Sequence, residues 1–589
     1  MEAGRGECIM AAVTNFDVAR LFGEMARLLE VRGESGFRVR AYQRAAQSIE
    51  ALAEELTAVA ARGELQKIPG VGKDLAARIT EFLETGAIAQ LEALRREVPP
   101  GFLALLEVRG LGPKTAKLLL DRLAVDSVDR LEAVCKSGEI LAVAGIREKT
   151  RDSILKGIAI WRAGRARMPL AQARTIAREV VAALTAQARV ERIEIAGSLR
   201  RARETVKDID LLATATDPAR VIEAFVSLPS VLDVVGAGGT KAAVHHREGI
   251  QIDLRVVDPD AVGAALQYFT GSKDHNVRLR EMASRRQLKI SEYGVFDETT
   301  GTRIAGATEP DVYAAVGLPW IPPELRENGG EIEAALAGTL PALVTADRIR
   351  GDLHAHTDWS DGHHPIETLI EAAEARGYEY IIVSDHSQSA TVARGLSVDR
   401  LREQIRTLRA LQPRFKIRIL AGSECDVLAD GALDFPSEVL RELDIVLAAV
   451  HSRFTQGRAE MTARIVRALE NPCVQILVHP TGRLIGSREP YDVDLEAVFV
   501  AARAHGKAVE INCSPDRLDL KDSHARRAAE LGVPIAISTD AHYLADLDNL
   551  ELGVATARRA WIGPAQVLNT RPVDELLAWA RAGRPAYPS

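Results

Sequence analysis

The chain has few cysteines, no long apolar run and no low-complexity tract, and each lack excludes a class of protein. Its five cysteines among 589 residues are scattered and form no CxxC pair, which argues against a disulfide scaffold, a structural zinc site and dithiol chemistry. The longest apolar runs, such as 445–450, fall far short of the roughly 20 residues that a membrane span needs. The N-terminus also lacks a cationic stretch followed by an apolar one. We therefore expect reduced thiols, no membrane partner and a cytoplasmic protein.

Length and composition predict a multidomain globular protein. A chain of 589 residues is too long for one hydrophobic core, and its length predicts about three or four domains. With 47% hydrophobic and 27% charged residues, the composition is that of a folded protein. The net charge of −7 does not by itself indicate nucleic-acid binding, because a basic groove and a cluster of metal-binding carboxylates can occur in one chain.

Sequence periodicity divides the chain into three parts. Up to about residue 166, apolar residues recur at helical spacing between glycine-containing turns, as in 75–83. From about residue 169, helices alternate with strand-like runs at 190–195, 208–213 and 250–257. The proline-rich stretch 318–325 marks the major boundary. Beyond residue 351, repeated βα units indicate a barrel, with strands predicted at 380–384, 417–421, 445–450, 474–478, 508–512 and 535–538.

The strongest motif before that boundary is a set of three aspartates. Asp208 and Asp210 lie two residues apart on a predicted strand, so their carboxylates face the same side, and Asp253 can join them from a neighbouring strand. The three carboxylates would repel one another without cations, but they can hold two Mg²⁺ or Mn²⁺ ions about 4 Å apart, an arrangement suited to phosphoryl transfer. We predict that they are the catalytic metal ligands.

A Gly-Ser turn, Gly197-Ser-Leu-Arg-Arg201, comes just before these aspartates. Ser198 and Arg201 are placed to hold triphosphate oxygens by hydrogen bonding and charge. Alone, an Asp-x-Asp pair is a common surface pattern and Gly-Ser is an ordinary turn. The third aspartate and the run Tyr268-Phe-Thr-Gly-Ser272 favour a functional site.

Together these motifs resemble the nucleotidyltransferase palm of family X DNA polymerases. The resemblance implies that Tyr268 and Phe269 line the sugar side of a nucleotide pocket and that Asn276 contacts the base edge. It also assigns Gly197, Ser198, Arg201 and Gly271 to nucleotide binding. One departure is Lys207, directly before Asp208, where some relatives carry a glycine that lets the backbone approach the triphosphate.

Two glycine hairpins in the helical part predict DNA binding. Residues 68–73 and 108–114 each sit between helical stretches and match the helix-hairpin-helix pattern, in which backbone N–H groups at a helix N-terminus reach a DNA phosphate. A single copy would be read as a tight helix-helix turn, but two copies before a polymerase palm favour DNA. A third hairpin, 143–147, has an arginine at the second glycine position and is predicted to be degenerate. The predicted contacts are Gly70, Gly72, Lys73, Gly110, Gly112 and Lys114.

The block 37–46 resembles the small domain with which animal relatives grip a 5′-phosphate and cleave abasic sugar through a lysine Schiff base, and it makes Tyr42 a predicted DNA contact. Arg78 occupies the position of that lysine. Because a guanidinium stays protonated, it cannot serve as the amine nucleophile. We predict DNA gripping without lyase chemistry. Nearby Lys73 is the alternative amine, and a borohydride-trapped adduct on abasic DNA would contradict the prediction.

A second constellation starts at Gly351-Asp-Leu-His-Ala-His356. His354 and His356 share a strand face, and further candidates recur at strand ends, where barrel active sites gather. Histidines and carboxylates without cysteine suit Mn²⁺, Zn²⁺ or Fe²⁺. Any one of these histidines would more often be a packing or surface residue, but nine candidates in register favour ligation. They are His354, His356, Asp361, His386, Glu424, His451, His479, Asp540 and His542.

Their order and spacing resemble the PHP family of metal-dependent phosphoesterases along the whole segment, which implies up to three ions, Mn²⁺ or Zn²⁺. In other proteins the same site hydrolyses small phosphate monoesters, so the substrate follows from context. Beside a polymerase, 3′→5′ exonuclease activity is the expectation, with removal of 3′-phosphates or cleavage at abasic sites as further options. His363 and His364 fall outside the pattern and are expected to be loop residues.

The predicted fold is multidomain, with an all-α helix-hairpin-helix region, an α/β nucleotidyltransferase palm with a small nucleotide-binding subdomain, and a distorted (β/α)7-type barrel. The expected boundaries are 1–95 and 96–168 for two helical DNA-binding parts, 169–262 for the palm, 263–325 for the nucleotide-binding subdomain, 326–348 for a linker and 349–589 for the PHP domain.

The predicted function is a template-directed DNA polymerase that fills short gaps in repair and carries a 3′-end processing hydrolase. Its expected partners are gapped or primer-template DNA and dNTPs, and we expect a monomer. One alternative is a PHP phosphoesterase with an inactive polymerase part, against which the intact Asp208, Asp210 and Asp253 argue. A second alternative makes the N-terminal half a DNA-binding module without catalysis.

Overall fold

The computed structural model describes residues 15–582, apart from 51, 53–55, 100, 107, 109 and 166. The described residues from 15 to 165 form helices and the turns between them, and we call this part the helical region. Its apolar faces form one core that includes Phe22, Met25 and Phe102. Its helices are α1 (Asn15–Arg32), α2 (Gly36–Glu50), α3 (Leu56–Ala61), α4 (Lys73–Thr85), α5 (Ala89–Arg96), α6 (Phe102–Leu105), α7 (Pro113–Leu123), α8 (Val128–Ser137) and α9 (Glu148–Arg165).

The palm, residues 168–256, is built on a five-stranded sheet in the order β2-β4-β7-β6-β5, in which only β4 and β7 pair in parallel. Buried apolar side chains such as Ile252 and Leu254 pack one sheet face against helix residues such as Ile176 and Phe225. Its elements are β1 (Met168–Pro169), α10 (Leu170–Gln187), β2 (Arg192–Ile195), α11 (Gly197–Arg200), β3 (Thr205–Val206), β4 (Asp208–Thr214), α12 (Pro218–Val226), β5 (Val231–Ala237), β6 (Lys241–His246) and β7 (Gln251–Val256).

The small subdomain, residues 262–337, packs helices on a three-stranded antiparallel sheet. A buried ion pair joins Arg326 to Glu309 at 2.7 Å, and His275 bonds to Glu331 and to the Tyr313 hydroxyl. Its elements are α13 (Val262–Thr270), α14 (Lys273–Ser284), β8 (Leu288–Ser291), β9 (Gly294–Asp297), β10 (Arg303–Ala305), α15 (Glu309–Ala315) and α16 (Glu331–Ala337).

The barrel, residues 351–581, contains seven parallel strands that neighbour one another in chain order. Its strands are β11 (Gly351–Asp352), β12 (Tyr380–Val383), β13 (Arg418–Asp426), β14 (Ile445–Ala449), β15 (Ile476–Leu477), β16 (Ala508–Asn512) and β17 (Ile535–Ser538). Its helices are α17 (Ile366–Ala375), α18 (Val398–Leu411), α19 (Ser437–Leu440), α20 (Arg458–Glu470), α21 (Leu495–Ala504), α22 (Asp522–Glu530), α23 (Leu550–Arg559) and α24 (Val573–Arg581).

The seam between the first and last barrel strands is nearly closed. A bridge joins Ala355 to Ala541. The buried Asn569 side chain donates to the main-chain oxygens of Gly351 at 3.0 Å and Ile537 at 2.7 Å. Apolar side chains fill the interior, which Leu576 of α24 helps to close. The architecture predicted from the sequence, including the distorted seven-stranded barrel, is therefore confirmed.

Some strand bounds differ from the predicted ones. Residues 508–512 and 535–538 agree, whereas β15 is only two residues long instead of the predicted 474–478. The reason is local, since the Val446 N–H bonds to the Gln475 side chain at 2.8 Å. Strands β5, β6 and β8–β10 were not among the predicted strands. For β8–β10 the reason is their length, because three or four residues show too little alternation to be recognised.

The described part of the chain contains four cysteines. Cys135, Cys425, Cys473 and Cys513 are buried free thiols, and Cys8 lies outside the described residues. Among the described helices, none has the length and apolar content needed to cross a membrane.

Candidate active sites and DNA interface

The three palm aspartates lie on two adjacent parallel strands. Asp210 of β4 is directly opposite Asp253 of β7, and Asp208 is opposite Gln251. All three aspartates occupy partly exposed positions. The residues next to them, Ile209 of β4 and Ile252 of β7, are buried. Strand alternation therefore turns all three carboxylates to the open face of the sheet.

These carboxylates oppose one another electrostatically. Burial and the charges of Asp208 and Asp253 raise the pKa of Asp210 to about 8. Burial also raises the pKa of Asp253, although Gln251 donates a hydrogen bond to it at 2.9 Å. Divalent cations would relieve this cost, so the donor set fits the two-ion site that the sequence predicts.

The Gly-Ser turn lies against the Asp210 carboxylate. Gly197 has a φ of +61°, and a Cβ at this position would be 2.0 Å from Oδ2 of Asp210. Only glycine lets the backbone come this close. The Ser198 side chain is partly exposed in this turn, and Lys207 is exposed just before β4.

The two arginines that follow the turn tie the palm to the small subdomain. Arg200 forms a two-pronged pair with Glu309, with both N–O distances at 2.7 Å. Nε of Arg201 donates to Glu327 at 3.0 Å, and another of its nitrogens donates to the main-chain oxygen of Thr270. The predicted triphosphate ligand Arg201 is therefore held next to the turn at Gly271.

The predicted nucleotide-pocket residues of the small subdomain lie close together. The rings of Tyr268 and Phe269 meet edge to face, with centroids 5.1 Å apart, and the Arg255 guanidinium lies 4.5 Å above the Phe269 ring. The Asn276 side chain is 9% exposed and bonds to the Tyr268 carbonyl and to Gln267, both at 2.7 Å. Contact between Asn276 and a base requires it to exchange these partners.

The structure gathers all nine predicted PHP ligands at one end of the barrel. Three overlapping groups have ligand atoms within 4.8 Å of one another: His356, Asp361, His386 and His542; His354, His356 and Asp540; and His386, Glu424 and His451. His479 bonds to Glu424 at 2.6 Å. Among the described residues the palm aspartates form no group this tight.

The barrel residues fit divalent metal ions. The ring nitrogens His354 Nε2 and His356 Nδ1 are buried without a hydrogen-bond partner, and a bound metal ion would satisfy them. Burial lowers histidine pKa values here, yet Glu424 and Asp361 raise the pKa of His386 to about 11. Conversely, burial raises the pKa of Glu424 but the histidines, His386 first, hold it well below its usual value.

Two carboxylates that the sequence analysis missed orient the ligand histidines. Glu510 accepts a hydrogen bond from Nδ1 of His354 at 2.9 Å and from the His479 N–H at 2.7 Å. Asp426 is 2.5 Å from Nδ1 of His451. Such partners fix the ring orientation of a metal-binding histidine. A signal did exist, because Glu510 is an acid flanked by apolar residues in a predicted strand.

His363 and His364 lie beside the ligand cluster but outside its groups. His363 stacks on Tyr543, with ring centroids 3.9 Å apart, and its Nε2 is 2.9 Å from the Tyr543 hydroxyl. His364 meets Tyr543 edge to face. Both stand in the loop after β11, as the sequence predicts.

The predicted DNA hairpins share one backbone geometry. Gly70 and Gly110 have a φ of +84°, and Gly145 of the third hairpin has a φ of +90°. Gly72 and Gly112 are the exposed N-cap residues of α4 and α7, and Lys73 and Lys114 beside them are exposed. The first glycine of the third hairpin therefore has nearly the same φ as those of the other two, although an arginine replaces its second glycine.

One residue of the lyase-like block, Tyr42, is placed differently from what the resemblance implies. Tyr42 is only 3% exposed; its ring packs on Phe22, and its hydroxyl donates to Gln90 at 3.3 Å. In this structure Tyr42 is therefore not presented to DNA, because its ring is part of the core. Arg78 is partly exposed, with Glu81 3.9 Å away.

Four family models match successive parts of the chain. A helix-hairpin-helix domain matches residues 13–88, and a SAM-like helix-hairpin-helix tandem matches 102–159. The DNA polymerase beta thumb matches 265–327, and the PHP domain matches 352–486.

Curated relatives match both the whole chain and the barrel alone. The DNA polymerase/3'-5' exonuclease PolX of Bacillus subtilis (strain 168) is 38% identical over 570 residues, 96% of this chain and 99% of that protein. A probable phosphatase of Thermoanaerobacter sp. (strain X514) is 32% identical over 232 residues, 37% of this chain and 89% of its own length. A probable phosphatase of Caldanaerobacter subterraneus is 28% identical over 247 residues, 40% and 91% of the two chains. The full-length match shows that this chain belongs to the bacterial family X DNA polymerases that carry a C-terminal PHP domain.

Proposed function

We propose that this protein is a template-directed DNA polymerase that fills short gaps in DNA repair, and that its PHP site hydrolyses phosphodiester bonds at DNA 3′ ends. The proposal rests on two separate acidic sites in one chain, each with the residues that its family needs. The name of the full-length relative pairs the same two activities.

For the polymerase we assign roles to the palm residues. Asp208, Asp210 and Asp253 are the ligands of two divalent cations, Mg²⁺ or Mn²⁺, which supply charge neutralisation to the attacking and leaving oxygens. Arg201, with Ser198 and the turn at Gly197, holds the triphosphate of an incoming dNTP. The ring pair at Tyr268 and the side chain of Asn276 provide the sugar and base sides of the pocket.

For the hydrolase we assign the nine gathered histidines and carboxylates as ligands of up to three ions, Mn²⁺ or Zn²⁺. His354 Nε2 and His356 Nδ1, which are buried without a hydrogen-bond partner, support this assignment. Glu510 and Asp426 hold His354 and His451 in the orientation that ligation requires. Beside a polymerase, a primer end that can move between the two sites is the most direct substrate.

DNA is held by the helix-hairpin-helix elements, whose exposed turns at Gly70 and Gly110 present backbone N–H groups and a lysine to phosphates. Contacts of this kind follow the backbone and do not read base sequence. We propose gapped or primer-template DNA as the partner and a monomer as the working form.

The test is extension and shortening of a 5′-labelled primer on one-nucleotide-gapped DNA, with Mg²⁺ or Mn²⁺ and with or without dNTPs. We expect Asp210→Ala to reduce extension by about a thousandfold or more and to keep shortening. His356→Ala should abolish shortening and keep extension. Glu223→Gln and His505→Ala change exposed residues of the palm and barrel and are matched controls that should behave as wild type.

Other outcomes would point to the alternatives. A wild type that extends no primer with any metal would exclude the polymerase assignment and favour a phosphoesterase with an inactive palm. Retained binding of gapped DNA in that case would assign the N-terminal half a DNA-binding role.

A further inference from the structure

Arg559, the last residue of α23 in the barrel, reaches into the polymerase part of the chain. Its side chain is only 6% exposed. One terminal nitrogen donates to the main-chain oxygen of Arg201 at 2.8 Å and to Oε1 of Glu327 at 3.0 Å. Its Nε donates to Asp522 of the barrel at 2.8 Å. A planar guanidinium with partners on both edges is fixed in one orientation.

Glu327 of the small subdomain is shared between two arginines. Its Oε1 accepts hydrogen bonds from Arg201 and from Arg559, both at 3.0 Å. Arg559 therefore contacts Arg201 twice, directly at the main-chain oxygen and indirectly through the carboxylate that holds the Arg201 guanidinium. Because Arg201 directly follows α11, the direct contact also anchors the end of the Gly-Ser turn.

The charge of this junction depends on Arg559. Three arginines (Arg201, Arg203 and Arg559) surround two carboxylates (Glu327 and Asp522), with Arg203 3.9 Å from Glu327. The cluster is therefore positive by one charge. Without Arg559 it would be neutral, and Glu327 would lose its second strong partner and pair more fully with Arg201. A guanidinium neutralised in this way attracts a triphosphate less.

We propose that Arg559 is a positioning residue for nucleotide binding, through which the barrel holds Arg201 of the palm in the orientation and charge state that accept the triphosphate of an incoming dNTP. The inference rests on the proposed polymerase function. It makes the nucleotide site incomplete without the barrel, because Arg559 belongs to the barrel and Arg201 belongs to the palm.

The experiment compares full-length wild type with Arg559→Ala and Arg178→Ala. Arg178 pairs with Glu551 of the same helix α23 across the palm and barrel, but both side chains are more than half exposed, so it is a matched control. The Kd of a dNTP is measured on gapped DNA with a dideoxy-terminated primer, and KM and kcat are measured with an extendable primer.

We expect Arg559→Ala to raise the dNTP Kd and KM about tenfold, the effect of losing one charge-assisted hydrogen bond, with a smaller change in kcat. Shortening of the primer and affinity for gapped DNA should stay within about twofold of wild type, and so should every parameter of Arg178→Ala. Arg559→Lys keeps the charge without the two-edged geometry and should lie between wild type and Arg559→Ala.

Adding Glu327→Gln to Arg559→Ala separates positioning from a merely structural role. The glutamine retains an acceptor for Arg201 but no charge, so we expect the double variant to recover most of the lost dNTP affinity. A Kd for Arg559→Ala equal to that of Arg178→Ala would overturn the inference while wild-type extension upheld the polymerase assignment. Equal losses of extension and shortening, not relieved by Glu327→Gln, would also overturn it. A wild type without extension removes the proposed function and this inference with it.

Discussion

The palm and the barrel each gather carboxylates, but they balance the charge in opposite ways. In the palm, three aspartates face one another without a histidine among them, and the pKa of Asp210 rises to about 8. In the barrel, histidines alternate with the acids, and the pKa of Glu424 lies well below its usual value. The barrel carboxylates are therefore compensated within the protein, whereas the palm carboxylates would gain most from bound cations.

The two sites also differ in how closely their side chains are grouped. The predicted barrel ligands form tight groups, and outer carboxylates such as Glu510 hold their rings. The palm carboxylates share a sheet face but among the described residues form no such group. We expect the palm to be sensitive to the approach of backbone and cations, and the barrel to be sensitive to the partners that orient its ligands.

Among changes that leave the predicted metal ligands in place, the addition of one methyl group to each site should have the largest effect. Gly197→Ala places a Cβ 2.0 Å from Oδ2 of Asp210 and should lower extension about a hundredfold by displacing that carboxylate, with shortening unchanged. Gly362→Ala is its counterpart, because its Cβ would lie 2.6 Å from the main chain of His356. It should lower shortening and spare extension. Rates of both reactions for both variants test this, and a loss of both activities in either variant would contradict the independence of the sites.

A smaller effect is expected from changing an outer carboxylate of the barrel. Glu510→Gln weakens the hold on the His354 ring and should lower Mn²⁺ affinity, and the shortening rate at limiting Mn²⁺, by about tenfold to a hundredfold. The measurement is a Mn²⁺ titration of shortening together with calorimetric Mn²⁺ binding. Glu496→Gln, at an exposed barrel carboxylate paired with Arg527, is the control. Unchanged Mn²⁺ binding in Glu510→Gln would mean that the ring is held by other contacts.

The smallest effect concerns pH. Because the pKa of Asp210 is raised to about 8, a proton competes with the cation below that pH and is released when the cation binds. The Mg²⁺ concentration for half-maximal extension should therefore fall as pH rises from 6.5 to 8.5, by up to about tenfold per pH unit below 8. Above pH 8 the dependence should flatten. A Mg²⁺ requirement that is constant over this range would contradict the raised pKa.

The raised pKa of Asp210 also predicts how the stability of the metal-free protein depends on pH. The folded protein binds a proton at Asp210 more tightly than the unfolded chain, whose aspartate has its ordinary pKa near 4. The contribution of Asp210 to the free energy of unfolding therefore decreases as pH rises from about 4 through about 8. In EDTA, Asp210→Asn should raise the Tm at pH 8 more than at pH 5.

The parts that could be predicted from the sequence are those in which local spacing fixes geometry. Residues two apart on a strand must share a face, so Asp208 and Asp210, like His354 and His356, were recognisable as pairs. The order of βα units similarly predicted the barrel. The contacts of Glu510 with His354 and of Arg559 with Arg201 span 156 and 358 residues, and no local pattern reports which distant side chain will fill a given hydrogen bond.

For Tyr42 the sequence pattern did not distinguish a surface position from a core position. Its place in a block that resembles a DNA-gripping domain suggested contact with DNA, but an aromatic ring at helical spacing equally suits a core. The structure packs it on Phe22. Burial of an amphipathic side chain depends on the helix that covers it, which composition alone does not reveal.

Asn569 affects when the barrel seam can form during synthesis of the chain. Its side chain bridges Gly351 and Ile537, so this part of the seam between the first and last strands forms only after residue 569 has been translated. Domains generally fold from the N-terminus as the chain emerges from the ribosome. The helical region and palm can therefore be complete while the barrel is still an open sheet. A nascent chain would acquire its hydrolytic activity last, so a ribosome stalled before the seam closes would carry no nuclease.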